Sequence, residues 1–190
     1  MTSHDSGRLA MANTPAPDGP MRRVLVVGCP GAGKTTFARR LADRLMLPVI
    51  HLDVHYWRGG WKPLDAEVWR DQVVALAATP DWIMDGNFAS TFDVRMPRAD
   101  SLVWLDYPRA TCMRRVLMRL IKDYGRNRPD LPDGCPEQFD AEFLRYVWTF
   151  PSRHRPHIVD GIARFGCHLR VTRCGHDRDA EELLATLGPA

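Results

Sequence analysis

Gly28-Cys29-Pro30-Gly31-Ala32-Gly33-Lys34-Thr35 is the stretch that decides the fold, because it matches the phosphate-binding pattern G-x-x-x-x-G-K-[ST] in full. An apolar, β-branched run at 24–27 precedes it and predicts a buried strand. An amphipathic stretch from Thr35 to about Met46 follows and predicts a helix. Strand, loop and helix therefore come in the order of a P-loop, which disfavours a chance glycine-rich turn.

The residues of this loop predict a nucleotide phosphate site. Glycines accept backbone conformations in which successive N–H groups point at phosphate oxygens, and the start of the helix adds its positive end. We expect Lys34 to reach the β- and γ-phosphates, the Thr35 hydroxyl to ligate Mg²⁺, and Thr36 to contact the α-phosphate. ATP and Mg²⁺ are thus the predicted ligands, and the predicted nucleotide contacts are Gly28, Pro30, Gly31, Ala32, Gly33, Lys34, Thr35 and Thr36.

Length and composition predict one globular domain. The chain has 190 residues, of which 45% are hydrophobic, and a net charge of +3 that demands no polyanionic partner. Five cysteines without a C-x-x-C spacing indicate reduced thiols, a cytoplasmic location and no structural zinc. No apolar run approaches the length that spans a membrane, so no membrane partner is expected.

The chain divides into a leader and a domain. Residues 1–20 are rich in Ser, Pro and Gly and lack the apolar core of a signal peptide, so we predict a disordered leader. Residues 21–190 are predicted to form a P-loop kinase-like domain. Periodicity is lost from 122 to about 139, where Gly, Pro, Arg and Asp are frequent, and this predicts a lid-like segment at about 122–155.

Strand and helix patterns alternate along the rest of the domain. Besides the P-loop strand, strands are predicted at 48–52, 82–84, 101–105 and 167–172. Helices are predicted at 65–78, 108–121, 143–165 with a break at Pro151, and 177–187. Repetition of strand and helix predicts an α/β fold with a five-stranded parallel sheet and helices on both of its faces.

Carboxylates follow two of these strands. Asp53 comes after the strand at 48–52, and Asp85 comes after the strand at 82–84. A carboxylate at the end of a buried strand is well placed to hold Mg²⁺ opposite Thr35, directly or through water, so Asp85 is the predicted second metal residue. An N-cap or Asx turn is the alternative role for Asp85.

Two further groups of side chains carry alternative interpretations. Tyr56, Trp57 and Trp61 lie in a stretch from 54 to 63 that is predicted to be a loop, where they either line an acceptor pocket, which we favour, or pack the loop. Arg115 and Arg119 are four residues apart and share a helix face. They suit phosphate or adenine contact, although only three of the 26 basic residues are lysine and a solvated arginine face is the alternative.

Several segments resemble a known family. GCPGAGKTT at 28–36, with proline inside the loop, looks like the nucleoside monophosphate kinase branch of P-loop proteins. HLD at 51–53, WIMDGN at 82–87, LVWLDYP at 102–108 and GCPE at 134–137 resemble the bacterial adenylate-kinase-related group often labelled topology modulation proteins. The resemblance covers residues 22–187.

The resemblance implies roles for individual residues. Asp53 lies where shikimate- and gluconate-type kinases place an acid near the acceptor hydroxyl, which makes it a candidate general base or substrate anchor. Asp85-Gly86 matches the D-G that begins the acceptor-binding stretch of adenylate kinases, although Asn87-Phe88 replaces their F-P-R continuation. The predicted catalytic residues are Lys34, from the P-loop motif, and Asp53, Arg115 and Arg119, from the resemblance. The predicted substrate residues are Tyr56 and Trp57, from the aromatic stretch, and Asp53, Gly86, Asn87 and Arg153, with Arg155 as the alternative to Arg153.

Three functions are consistent with these features. We favour a kinase that transfers the γ-phosphate of ATP to a nucleotide or to a small hydroxylated acceptor. The alternative is a P-loop NTPase that regulates DNA topology with slow ATP hydrolysis. Residues 95–155 contain eleven arginines, but eight carboxylates are interspersed, so a nucleic-acid partner is not favoured. A GTPase is set aside because no N-K-x-D motif is present, and monomer and homodimer both stay open.

Overall fold

Seven strands are present in the computed structural model, which describes residues 19–127 and 131–187; the predicted leader falls outside these ranges except for its last two residues. The strands are β1 (Arg23–Gly28), β2 (Val49–His51), β3 (Trp57–Arg58), β4 (Lys62–Pro63), β5 (Trp82–Asp85), β6 (Ser101–Leu105) and β7 (Arg170–Cys174). Five of them form a parallel sheet in the order β2-β5-β1-β6-β7, and β3 and β4 pair as a small antiparallel hairpin. The predicted five-stranded α/β fold is confirmed.

Helices follow the strands of the large sheet. They are α1 (Lys34–Leu45), α2 (Leu52–Tyr56), α3 (Ala66–Ala77), α4 (Phe92–Arg95), α5 (Arg109–Asp123), α6 (Ala141–Arg153), α7 (Arg155–Phe165) and α8 (Asp177–Thr186). Short 3₁₀ turns at Ala89–Thr91 and Met96–Arg98 flank α4. Every residue of β5 and β6 is buried. Because side chains alternate between the two faces of a strand, helices and loops must cover both faces of the sheet.

The strand register gathers the functional segments at one edge. Parallel pairing sets Val26 of β1 and His51 of β2 on either side of Asp85 in β5. Gly28 ends β1 beside Leu105 of β6. The carboxyl ends of the central strands therefore deliver the P-loop and both predicted acids to the same side of the sheet, where ligands bind in open α/β folds.

The structure corrects the predicted break at Pro151, because α6 continues to Arg153. Proline removes the N–H that would reach the carbonyl of Val147 four residues earlier. The Cys29 thiol of the P-loop lies 3.8 Å from that Val147 oxygen and serves as a weak replacement donor. The proline therefore sits in the last turn of α6 without ending it.

Two strand boundaries also differ from their predictions. The last strand begins three residues late, at Arg170, because its register against β6 pairs Ser101 with Arg170 and Leu105 with Cys174. The strand predicted at 48–52 ends at His51, because the buried Leu52 already begins α2 and places Asp53 in its first turn. Pairing between strands sets where both of these strands begin or end. A local sequence pattern does not contain this pairing.

The stretch from 54 to 63 is not the irregular loop that was predicted. It contains the end of α2 and the β3–β4 hairpin, in which Trp57 pairs with Pro63. The Leu64 N–H donates to the Tyr56 carbonyl at 3.0 Å and closes the hairpin. Throughout the described part of the chain, each helix is too short or too polar to cross a lipid bilayer.

Candidate active site

The P-loop backbone has conformations that require glycine. Gly31 and Gly33 have φ angles of 85° and 89°, in the left-handed region. A Cβ on Gly31 would lie 2.4 Å from the carbonyl oxygen of Cys112 in α5, whereas a Cβ on Gly33 would meet open space. Gly31 therefore lets α5 approach the loop, and Gly33 allows the turn into α1.

The first turn of α1 is free to bind an anion. No side chain caps this helix at Gly33, and its first turn contains no acidic residue. The first N–H groups of an uncapped helix have no partner within the helix, and the helix dipole adds positive potential there. Lys34 lies in the same turn and donates from Nζ to the Cys29 carbonyl at 3.3 Å. These features suit phosphate oxygens.

The two predicted metal residues are in contact. The Thr35 hydroxyl donates to Asp85 Oδ2 at 2.7 Å, and Asp85 is only 6% exposed. A hydroxyl and a carboxylate are oxygen donors of the kind that Mg²⁺ prefers, so the residues present fit the ion. His51 Nδ1 lies 3.1 Å from the same carboxylate oxygen. The sequence analysis gave His51 no role, although it lies in the HLD segment.

Asn87 clamps the first glycine of the P-loop. Its side-chain Oδ1 accepts from the Gly28 N–H, and its Nδ2 donates to the Gly28 carbonyl, both at 2.9 Å. Asn87 was predicted to contact substrate, and this role stays a prediction. In the structure its amide ties the segment after β5 to the end of β1, which lies next to it in the sheet.

A buried arginine that the sequence analysis missed holds this segment in place. Arg95 is 0% exposed and donates to the carbonyl oxygens of Gly86, Asn87 and Phe88. Burial lowers the pKa of Arg95 to about 9, so its guanidinium is still charged and donating at neutral pH. Phe88 is held with a φ of 35°, which is unusual for a residue other than glycine. An arginine in a four-residue helix carries no sequence signal of burial.

We expect Arg95→Lys to lower the free energy of unfolding by about 3 kcal/mol, because lysine keeps the charge but cannot reach several carbonyl oxygens with one planar fork. Urea denaturation measures the change. Arg98→Lys is the matched control, since Arg98 is exposed and, within the described part of the chain, donates only to the Ala77 carbonyl oxygen, at 3.4 Å. Equal stability of the two variants would show that the Arg95 fork is dispensable.

Asp53 of α2 lies close enough to Tyr146 of α6 to act on it electrostatically. Asp53 is half-buried in α2, and Tyr146 is half-buried in α6. Burial raises the pKa of Tyr146 to about 12, its hydrogen bond with Asn87 opposes the rise, and the nearby Cys29 and the Asp53 carboxylate add to it. Tyr146 is therefore a neutral hydroxyl close to Asp53, Asn87 and the P-loop. Sequence periodicity marked α6 as a helix but did not single out this residue.

The aromatic residues after α2 pack against one another. Tyr56 makes edge-to-face contacts with Trp57 at 4.8 Å and with Trp69 at 5.1 Å between ring centroids, and its ring lies 4.8 Å from Phe88. Trp57 makes a further edge contact with Trp61 at 5.6 Å. Substrate contact by Tyr56 and Trp57 stays a prediction, and packing accounts for the position of Tyr56.

Three of the four arginines predicted to contact phosphate or substrate pair with carboxylates in the structure. Arg115 pairs with Asp177 at the start of α8, and Arg119 lies 3.0 Å from Glu137 of the lid-like segment. Arg155 pairs with Asp106 at 3.0 Å, whereas Arg153 is exposed in the last turn of α6. Contact of these arginines with phosphate or substrate stays a prediction.

The GCPE segment (134–137) joins the lid-like region to the β3–β4 hairpin. The Gly60 N–H donates to the Gly134 carbonyl at 2.8 Å, and Trp61 Nε1 donates to the Pro136 carbonyl at 3.2 Å. The Cys135 thiol contacts the Arg58 carbonyl oxygen at 3.2 Å. These three contacts therefore hold the β3–β4 hairpin, which follows α2, against the lid-like segment.

His154 makes the stability of the fold depend on pH, and the direction of its pKa shift gives the sign of this dependence. Burial, with smaller effects of His157 and Arg153, holds the pKa of His154 below its ordinary value of 6.5. As the pH falls below 6.5, the unfolded chain takes up the proton first, so stability present at neutral pH is lost as the pH falls through the folded-state pKa. We expect the drop in Tm from pH 7 to pH 5 to be smaller in His154→Gln than in the wild type or in His168→Gln. Identical drops in all three chains would contradict this assignment.

Comparisons with known proteins agree with this geometry. A family model described as an AAA domain matches residues 24–145. A shikimate kinase from Corynebacterium diphtheriae is 35% identical over 134 residues, which cover 64% of this chain and 74% of that protein.

Solved structures are similar in fold at low identity. A protein from Chloroflexus aurantiacus that is provisionally described as a kinase has a TM-score of 0.50 at 17% identity, covering 89% of this chain and 97% of the other. A shikimate kinase from Bacteroides thetaiotaomicron has a TM-score of 0.48 at 18% identity, covering 88% and 96%. The first of these supports the fold alone.

Proposed function

We propose which class of acceptor this chain phosphorylates. The chain belongs to the AAA-domain family of P-loop NTPases and is of the nucleoside monophosphate kinase-like type. It is an ATP-dependent kinase. In the proposed reaction the γ-phosphoryl group of ATP passes to a hydroxyl group of a small hydroxylated metabolite. The observation that carries this proposal is the Thr35–Asp85 contact at the P-loop, with Asp53 close to Tyr146.

Different residues of the site have different roles in phosphoryl transfer. The uncapped start of α1 and Lys34 hold the phosphates and balance their charge, and the Thr35–Asp85 pair supplies the oxygen donors for Mg²⁺. Mg²⁺, when bound, neutralises charge on the phosphate oxygens. Asp53 accepts the proton of the attacking hydroxyl or orients it. Tyr146, neutral and close to Asp53, offers a hydrogen bond to the acceptor.

A small hydroxylated acceptor fits the site better than a nucleotide. A nucleobase needs an aromatic face to stack on, but Tyr56 already packs against Trp57, Trp69 and Phe88. Asp53, Asn87 and Tyr146 are close to one another and present a carboxylate, an amide and a phenol, which suit hydroxyl groups. The relative with 35% identity is named as a shikimate kinase, which supports the same class of acceptor.

Four of the arginines in 95–155 do not favour the alternative of a DNA regulator. In the described part of 95–155, Arg95 is buried, and Arg115, Arg119 and Arg155 pair with carboxylates. Arginines that are already paired with carboxylates gain little from phosphate contact, so these residues give no support to a nucleic-acid surface.

ADP release from MgATP by the purified chain tests the proposal. The assay is run alone and with separate panels of small hydroxylated metabolites, nucleosides and nucleoside monophosphates. We expect stimulation by a member of the first panel. Stimulation only by a nucleoside monophosphate would replace the proposed acceptor class. Slow hydrolysis that no acceptor stimulates, together with tight DNA binding that weakens steeply with salt, would favour the regulator.

A further inference from the structure

A histidine without a role in the proposed reaction lies against the carboxylate of the metal site. His51 ends β2 and Asp85 ends β5, and the parallel register makes them direct neighbours. His51 Nδ1 lies 3.1 Å from Asp85 Oδ2. An ionised carboxylate only accepts hydrogen bonds, so Nδ1 is the donor in this contact.

Both donors that reach the Asp85 side chain use the same oxygen. Thr35 Oγ1 donates to Oδ2 at 2.7 Å, and His51 shares that atom. Among the residues of 19–127 and 131–187, no hydrogen bond reaches Asp85 Oδ1. The Asp85 side chain is only 7% exposed, so it cannot turn into solvent. Two donors on Oδ2 therefore fix the rotation of the carboxylate and leave Oδ1 for a ligand.

We propose that His51 is a positioning residue for the divalent cation that accompanies ATP. His51 holds the Asp85 carboxylate so that Oδ1, directly or through a water molecule, and the Thr35 hydroxyl oxygen face the cation together. The Thr35 hydroxyl keeps a lone pair for the cation while its proton bonds Asp85 Oδ2. This inference rests on the proposed function, because it concerns the cation of that kinase. Partners that orient metal ligands typically change metal affinity by about 10- to 100-fold when they are removed.

A purely structural role for His51 predicts something different. Backbone pairing already joins β2 to β5 along Val49–Ile83, Ile50–Met84 and His51–Asp85. If the imidazole only reinforced this pairing, its loss would lower stability and weaken nucleotide binding equally with and without metal. If it orients Asp85, its loss reduces only the part of the affinity that depends on the metal.

The experiment measures binding of a fluorescent ATP analogue to the full chain in Mg²⁺ and in EDTA. We expect His51→Ala to reduce the gain in affinity that Mg²⁺ provides by about 10-fold or more, with the affinity in EDTA unchanged. His51→Asn places an amide N–H at the position of Nδ1 and is expected to restore most of the gain. His51→Gln, whose amide lies one bond further out, is expected not to restore it. Electron paramagnetic resonance of Mn²⁺ with ATP reads the same site without turnover.

The control and the outcomes separate this inference from the proposed function. The control variant is His168→Ala, which removes a different histidine; His168 lies near the start of β7 and contacts the Ala99 carbonyl oxygen at 3.0 Å. A wild-type chain that binds the analogue no better with Mg²⁺ than with EDTA would overturn the proposed kinase site. A wild type with a clear Mg²⁺ gain that His51→Ala retains would overturn the role of His51 alone. If His51→Ala does not fold, equal gains in His51→Asn and His51→Gln would overturn it as well.

Discussion

Lys34→Ala is expected to lower the turnover of ATP by about 10²-fold or more, the scale of losing one strong contact to the charge of the transition state. Lys34 is the only lysine in the P-loop, and among the residues that the structure describes its Nζ donates only to a backbone carbonyl, that of Cys29 at 3.3 Å. A contact of this kind contributes little to folding, so the variant should keep its Tm. ADP release and thermal unfolding, measured on the same preparation, test both parts of the expectation.

Lys122→Ala is the control for charge removal, because Lys122 is exposed near the end of α5. It should turn over ATP at the wild-type rate. A Lys34→Ala chain that is folded and fully active would remove the P-loop lysine from the mechanism. A chain that loses activity together with a large fall in Tm would show instead that the lysine supports the fold of the loop.

Asp53→Asn is expected to lower acceptor-dependent phosphoryl transfer by about 10²- to 10⁴-fold, because an amide cannot take the proton of the attacking hydroxyl. Asp53 lies in α2 and is not part of the loop that holds the phosphates, so binding of ATP should not change. ADP release with and without the stimulating acceptor measures the effect. Hydrolysis without acceptor should stay at the wild-type rate.

The matched control is Asp71→Asn, an equal change at an exposed position of α3. If Asp53→Asn transfers phosphate to the acceptor as fast as Asp71→Asn does, Asp53 is neither base nor substrate anchor. If it raises the KM for the acceptor and leaves kcat intact, Asp53 binds substrate without acting on the proton.

Local patterns were sufficient for most of the fold. The β-branched run before Gly28 and the apolar run at 101–105 predicted β1 and β6, because strands that are buried on both faces are apolar throughout. They were insufficient where pairing or packing set the limits of an element. The register against β6 moved the start of β7 to Arg170, and the thiol of Cys29 next to the Val147 carbonyl accompanies a helix that continues past Pro151.

Part of the candidate site was also predictable from local sequence patterns. The P-loop and the order of strands placed Thr35 and Asp85 at one edge of the sheet, and the structure puts them in contact. The sequence carried no signal for the burial of Arg95 among backbone carbonyls or for the approach of Tyr146 to Asp53. Sequence periodicity shows that a residue is in a helix, but not which distant segment packs against it.

The sequence by itself determined that this protein has a P-loop, a parallel α/β sheet and acids at the ends of two strands. These properties follow from short motifs and from periodicity, which act within a few residues. Only the tertiary structure decided that His51 and Thr35 share one oxygen of Asp85 and that Asn87 clamps Gly28. These contacts join residues 34, 50 and 59 positions apart, so they depend on strand register and helix packing.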